Sequence, residues 1–276
     1  MEFKYIIYQP GKVARIVLNR PRYHNAQTTV MREEMDVAFS EAAKDDAVGC
    51  IILSGNGDHF SSGHDVGTQE EMEDKERRNI PDDRYHRYDR VRATCMENRW
   101  RNIPKPTIAM VHGYCIFGGW IFAAAMDLIF ASEDALFLPS HTQYFTVPWD
   151  IGYRRAKEIL FEHRFVDAWE AYRYGWVNRI YPNRERLEKE TLAYADRVAT
   201  NWLRDPMRIR TVKFSVNHMI DQMGFSAEID VAYQSYFIGT EMRDPATLRD
   251  DKGGIANVKG ALENLEASKE WLDRMR

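Results

Sequence analysis

The stretch "KPTIAMVHGYCIFGGWIFAAAMDLIFAS", Lys105 to Ser132, decides the fold class. Its first apolar run, "TIAMV", follows Pro104 and Pro106 and reads as a buried strand. Two adjacent glycines, Gly118 and Gly119, then open "WIFAAAMD", a short apolar helix, and "LIFAS" resumes as a strand. A glycine at a strand end before a helix permits backbone angles and close approaches that other residues resist. The spacing therefore predicts a strand, a turn, a helix and a further strand.

Working outward, the same order recurs upstream. "KYIIYQ", "VARIVLN" and "VGCIILSG" are short β-rich runs bounded by Gly, Pro or Asn, and read as strands. Between the last two lies "TTVMREEMDVAFSEAAKDD", where Val30, Met35, Val37, Ala38 and Ala42 recur at helical spacing and Thr28 or Thr29 supplies a cap. Strand, helix, strand implies a right-handed crossover and a buried parallel sheet. Two such units predict an α/β stack of β-β-α turns. Residues 67–90 are dense in charge and poor in apolar anchors, and read as a solvated surface segment or as a flap over a site. "RVRATCMENRWRNI" reads as an amphipathic helix. Downstream, "RRAKEILFEHRFVDAWEAYRYGWVNRIYP" predicts two short helices and an exposed end, and from Arg184 onward the chain reads as helical. No linker rich in Gly, Ser or Pro separates independent domains.

Composition excludes several function classes. At 44% hydrophobic and 29% charged residues, the chain has the balance of a folded globular protein rather than a disordered one. A net charge of -4 argues against a nucleic-acid binder held by phosphate contacts. Cys50, Cys95 and Cys115 form no CxxC pair, which excludes a disulfide framework and fits a reducing compartment. There is no His-x-x-x-His zinc pair. The segment "MEFKYIIYQPGK" lacks a signal-peptide core, and no apolar run reaches membrane-spanning length, so the expected location is cytoplasmic, away from membranes.

Two loops place glycine between a predicted strand and a predicted helix: "HFSSGHDVG", His59 to Gly67, and "HGYCIFGGW", His112 to Trp120. Free N–H groups at a helix start, converging from two such loops on one oxygen, would make an oxyanion hole. Two tight turns would account for the same glycines. GxGxxG and the Walker lysine are both absent, so neither dinucleotide nor P-loop binding follows.

In order and wording these segments resemble the enoyl-CoA hydratase/isomerase family, the crotonase superfamily. "IVLNRPRYHNAQTT" matches its Asn-Arg-Pro and Asn-Ala signature, and "VGCIILSGNGDHFSSGHDV" its Phe-Ser/Ala-x-Gly-x-Asp-Leu loop. "IPKPTIAMVHGYCIFGGW" matches its lysine-proline strand and Gly-Gly helix start. "ASEDALF" is also shared, and "AYRYGWVNRIYP" matches Ala-x-x-x-Gly-Leu-Val-x-x-Val. The resemblance implies a crotonase-like spiral of stacked β-β-α units, here residues 1–195, and a C-terminal helical region, 196–276, that completes the site and builds trimers or dimers of trimers. It implies an acyl-CoA thioester substrate, with coenzyme A arriving as part of that substrate and no permanently bound cofactor or metal. The thioester oxygen would sit between the backbone N–H groups of His64 and Gly118. Arg22, His24 and Ala26 would lie by the nucleotide or pantetheine, and Ser62, His64, Asp65 and Val66 would line the adenine pocket. A basic Arg22 suits a phosphate on its own chemistry.

The match breaks at the acid–base residues. Hydratases of the family place and split water with two glutamates, the first three residues after the oxyanion glycine. That position is Ile121, which cannot transfer a proton. The second falls at His141 in an ungapped alignment, or nearer Gln143 if a gap is placed earlier. Neither is a carboxylate, so the two-glutamate mechanism is unsupported. The remaining candidates are His141, which titrates near neutrality, the side chain of His64, and Asp150, near where some members carry a catalytic Asp. Tyr144 and Tyr153 are hydroxyl donors, and His112 reads as structural. Trp120, Phe122 and Trp149 either narrow an acyl pocket or belong to the core. The leading expectation is a lyase- or isomerase-type enzyme on acyl-CoA that stabilises a thioester enolate with non-standard acid–base groups. A C–C bond hydrolase of a cyclic β-diketone or β-keto thioester, and a non-catalytic CoA-binding homologue, stand beside it.

Overall fold

A computed structural model describes residues 2–78, 94–139, 144–242 and 258–274. The central sheet has six strands: β1 (Ile6–Gln9), β2 (Val13–Leu18), β3 (Cys50–Gly55), β4 (Thr107–Val111), β6 (Leu128–Ser132) and β9 (Arg179–Tyr181), hydrogen-bonded in that order. Only the β1–β2 pair is antiparallel. The β2-to-β3 connection is the predicted crossover helix, α1 (Thr29–Lys44), with Thr28 accepting a capping bond from the Met31 N–H. All six residues of β3 are buried, as a parallel strand covered on both faces requires.

A second sheet runs β5 (Tyr114–Ile116), β7 (Leu136–Leu138), β8 (Val166–Asp167). β4 leads through His112-Gly113 into β5, and β6 leads after a short turn into β7. Each circuit thus gives one strand to each sheet before its helix. After β3, Ser61 makes the corresponding bridge to Cys115, so three successive turns stack and the chain is the expected spiral. The corner is tight: at Gly113, with φ +56°, an added Cβ would run into the Asp58 carbonyl.

Helices α4 (Gly118–Ala124), α5 (Val147–Ile151), α6 (Tyr153–Glu162) and α7 (Ala168–Arg173) contribute Phe122, Val147, Ile159 and Ala171 to one core with Ile51, Leu53 and Ala109, on the face of the central sheet opposite its outer face. Helix α8 (Arg184–Arg204) covers that outer face, packing Leu187, Ala195 and Ala199 on Cys50, Ile52, Ile108 and Phe130. It runs without a break across position 195. Helices α9 (Pro206–Gln222), α10 (Phe225–Met242) and α11 (Val258–Arg274) follow.

Two sequence expectations are corrected. Residues 69–77 are not merely a solvated segment: they form helix α2 (Gln69–Arg77), whose Glu71 and Asp74 are buried. Asp74 accepts from Lys4 Nζ at 2.9 Å and Tyr5 Oη at 2.8 Å, and Glu71 from Thr29 Oγ1 at 2.9 Å. Charge density misled because these carboxylates point inward to partners distant in sequence. Residues 79–90 of the same segment lie outside the described residues. The supposed exposed end after α7 is strand β9 at the edge of the central sheet, paired with β6. Helix α3 (Thr94–Arg101) stands where the amphipathic pattern placed it.

Candidate active site

Two loops meet beside Gly118. Gln27 pairs with both residues flanking His64, its N–H donating to Gly63 O at 2.8 Å and its carbonyl accepting from Asp65 N at 3.0 Å. An added Cβ at Gly63 would stand 2.8 Å from Ile116 O and 3.3 Å from Gly118 N, so the 63–65 loop lies directly on the entrance to α4. Phe117 enters that helix at φ +42° with no side-chain cap. One expectation fails here: His64 does not precede a helix start. It sits in an isolated β-bridge with Gln27, and α2 begins only at Gln69.

The sequence reading missed Gln27. Its side chain is buried and its carboxamide lies over Gly118, where an added Cβ would be 2.5 Å from Oε1. Nε2 reaches Ser61 Oγ at 3.4 Å, and Oε1 has no hydrogen-bond partner among the described residues. A buried glutamine within the Asn-Ala signature was the available signal.

Asp150 sits in the first turn of α5 and accepts from Thr146 Oγ1 at 2.5 Å. Trp120, two residues beyond Gly118, stacks on Trp176 at 3.7 Å between centroids and 9° between planes. The residue keeps some accessible surface, but burial of its carboxyl pushes the pKa up to about 7. Hydrogen bonding from Thr146 and the two indole N–H groups opposes that rise, although neither indole reaches full hydrogen-bond geometry. Asp150 is thus a carboxyl poised to take or give a proton near neutrality. Ile121, at the position of the family's first hydratase glutamate, is buried in the core. Trp176 stands where the resembling pattern has leucine, a signal readable in the sequence; its pairing with Trp120 was not.

The remaining candidates divide into two groups. Arg22 and His24 are exposed on the turn beside the loop. His24 O accepts from Ser62 N at 2.9 Å, and Val66 stands 77% exposed on the same loop. Ala26 is buried, with its carbonyl accepting from Arg20. Asp65 turns inward: it pairs with Arg20 at 2.9 Å and accepts from Gly67 N, Thr68 N and Thr68 Oγ1. Burial opposes its charge, but these partners outweigh it and hold the pKa below the usual carboxylate value. Its carboxylate therefore braces the loop. His141 and Gln143 lie outside the described residues. Tyr153 is exposed on α6. His112 is buried against Gly57 O at 2.8 Å, matching its structural reading. Phe122 is buried among Trp100 and its neighbours, and Trp149 packs on Phe225. Among the described residues no group of three or more His, Cys, Asp or Glu is placed to hold a metal ion, and no helix is long and apolar enough to cross a membrane.

Comparison with known proteins agrees with this framework. The sequence model of the Enoyl-CoA hydratase/isomerase family matches residues 9–244. A Mycobacterium tuberculosis protein named "Putative enoyl-CoA hydratase EchA13" is 36% identical over 260 residues, covering 84% of this chain and 80% of that one. Among solved structures, a probable enoyl-CoA hydratase from Mycobacterium thermoresistibile superposes with TM-score 0.73 at 38% identity, over 86% of this chain and 97% of that one. An enoyl-CoA hydratase/isomerase from Xanthobacter autotrophicus Py2 superposes with TM-score 0.78 at 28% identity, over 100% and 99%. With the spiral of β-β-α turns, the paired glycine loops and a family match across most of its length, the chain belongs to the enoyl-CoA hydratase/isomerase family.

Proposed function

We propose that this protein is an acyl-CoA-processing enzyme that moves a proton on a thioester enolate, with Asp150 as its acid–base group. The observation that carries this reading is the Asp150 carboxyl, held beside the stacked indoles of Trp120 and Trp176 and raised to a pKa of about 7. The thioester oxygen is received by the backbone N–H groups of His64 and Gly118, each such donor contributing about 3 kcal/mol to an oxyanion. Arg22, His24, Ser62 and Val66 form the face offered to the coenzyme A portion, with Ala26 behind them. Ile121 removes the first glutamate of the two-glutamate water mechanism. A single carboxyl suits double-bond isomerisation, because one base removes a proton at one carbon and returns it at another without activating water. His141 remains a second candidate for proton transfer.

The apolar stripe on α9 supports a homotrimer or dimer of trimers. That helix buries none of its residues within the chain, and it exposes Val212, Val216 and Met219 at helical spacing, with Met223 just past its end.

The test compares the native protein with Asp150→Asn and Asp150→Ala on 2-enoyl-CoA hydration and 3-enoyl-CoA isomerisation. Isomerase activity is expected to exceed hydratase activity, and both variants to lose about 100-fold or more in kcat. Native-level activity in both variants overturns the assignment of Asp150.

A further inference from the structure

Gln27 touches both loops of the proposed oxyanion site, and the acid–base chemistry above does not use it. It stands one residue before Thr28, the cap of the crossover helix α1, so its backbone is anchored to a rigid element. From there it reaches in two directions. Its main chain brackets His64: the N–H donates to Gly63 O at 2.8 Å, and the carbonyl accepts from Asp65 N at 3.0 Å. Its side chain, on a residue only 3% exposed, lies against Gly118, where an added Cβ would meet Oε1 at 2.5 Å and Cδ and Nε2 at 2.9 Å.

Gly63 closes the triangle. An added Cβ there would stand 3.3 Å from Gly118 N and 3.4 Å from Phe117 Cβ. Gly118 is therefore approached at its nitrogen by Gly63 and at its α-carbon by Gln27, and these two are hydrogen-bonded to each other. The peptide needs such support. Phe117, just before it, sits at φ +42° and ψ -98°, a conformation that a non-glycine residue keeps only when its surroundings impose it. Ser61 steadies the carboxamide: its Oγ accepts from Gln27 Nε2 at 3.4 Å and from Gly63 N at 3.2 Å, and donates to Asn25 O at 2.9 Å. Gln27 Oε1 is one of several buried polar atoms without a partner among the described residues. Burying an unpaired acceptor is destabilising, so a methionine of similar length would fill this space more favourably. Stability alone does not account for a carboxamide here.

We propose that Gln27 is a positioning residue that fixes the spacing of the His64 and Gly118 N–H groups, and so the fit of the oxygen they receive. This rests on the acyl-CoA reading above.

The experiment compares the native protein with Gln27→Met in the isomerisation of 3-hexenoyl-CoA, in melting temperature and in the binding of two CoA ligands. One ligand is acetoacetyl-CoA, whose enolate presents a charged oxygen. The other is the thioether S-hexyl-CoA, which has no carbonyl. Gln27→Met is expected to lower kcat about tenfold or more with KM near the native value. Its melting temperature should equal or exceed the native one. Its affinity for acetoacetyl-CoA should fall by a similar factor, while S-hexyl-CoA binds unchanged. A merely structural role would lower the melting temperature or weaken both ligands alike. Native-level kcat in Gln27→Met overturns the inference, as does equal weakening of both ligands; in either case the acyl-CoA reading stands, because the native protein still converts the thioester. If the native protein neither binds nor converts any CoA thioester, both readings fall together.

Discussion

Asp150 meets two demands that work against each other. Its carboxyl must be buried enough to hold a proton near neutrality, yet supported enough to stay ionisable, and the Thr146 hydroxyl and the two indole N–H groups provide that support. The raised pKa has a consequence for stability. The folded state binds this proton more tightly than the unfolded chain, whose carboxyl keeps its ordinary value. The group's favourable contribution is therefore complete below about pH 4 and is lost as pH rises through about 7. Asp150→Asn cannot ionise, so its melting temperature relative to the native protein should climb between about pH 4 and about pH 7 and level off above. A difference that stays flat across that range would show that the carboxyl is not perturbed in the fold. At Gly118 the prediction is steric: alanine would push its Cβ into the Gln27 carboxamide. Gly118→Ala should cost about 100-fold in kcat with little change in melting temperature, because the flexible Gln27 end can move while the N–H is displaced. At this scale the sequence was legible where backbone motifs set the close approach of two loops, as at Gly118 and the His64 loop. Asp150 was visible as a candidate, but its environment was not, because it depends on Trp176 folding back onto Trp120. The contact of Gln27 with Gly118 was hidden for the same reason: a buried polar residue looks like a surface one until its neighbours are known.

Among the elements, α6 and α7 are tied by one fully buried ion pair. Arg164 donates to both oxygens of Glu170 at 2.8 Å, and Tyr174 Oη donates to the same carboxylate at 2.7 Å. Burial works against the Arg164 charge, but Glu170 and Glu162 outweigh it and its pKa is raised. Removing one partner strands the other charge in the interior. Glu170→Gln should cost about 3–5 kcal/mol in chemical denaturation, whereas a paired Arg164→Met, Glu170→Leu replacement should recover much of that loss. α8 depends on a smaller feature. An added Cβ at Gly49 would stand 2.5 Å from the Ala199 carbonyl, so Gly49→Ala should force the helix off the sheet and lower the melting temperature. The strands and long helices were legible because each carries its own periodicity. β9 was not: "RIY" has no alternation long enough to announce a strand and exists because β6 offers an open edge. α2 was obscured by its charges, which read as solvated until Tyr5 and Thr29 are seen to receive them.

For the whole molecule, the spiral seats the Gly63 loop on the Gly118 helix entrance. α10 and α11 each bury residues in its cores, and α9 alone of the helices after α8 buries none of its described residues. The proposed trimer or dimer of trimers, joined through the unburied stripe on α9, predicts a particle of about three or six times the 32.3 kDa chain mass in light scattering. Val216→Glu combined with Met219→Glu should reduce it toward a single chain, and a native protein that runs as a monomer would refute the trimer. The overall architecture was readable because several motifs occur in order along one chain, and their order is the order of the turns. The reaction was less readable, since Ile121, buried in the core, carries no group that can transfer a proton. The central claim is that Asp150 moves a proton at the carbon beside a thioester held by Gly118 and His64. Its most direct test is exchange of the α-protons of 3-hexenoyl-CoA in deuterium oxide, followed by NMR, for the native protein and Asp150→Asn. Rapid exchange is expected of the native protein, and a loss of about 100-fold or more in the variant with thioester binding retained. Exchange by Asp150→Asn at the native rate would contradict it.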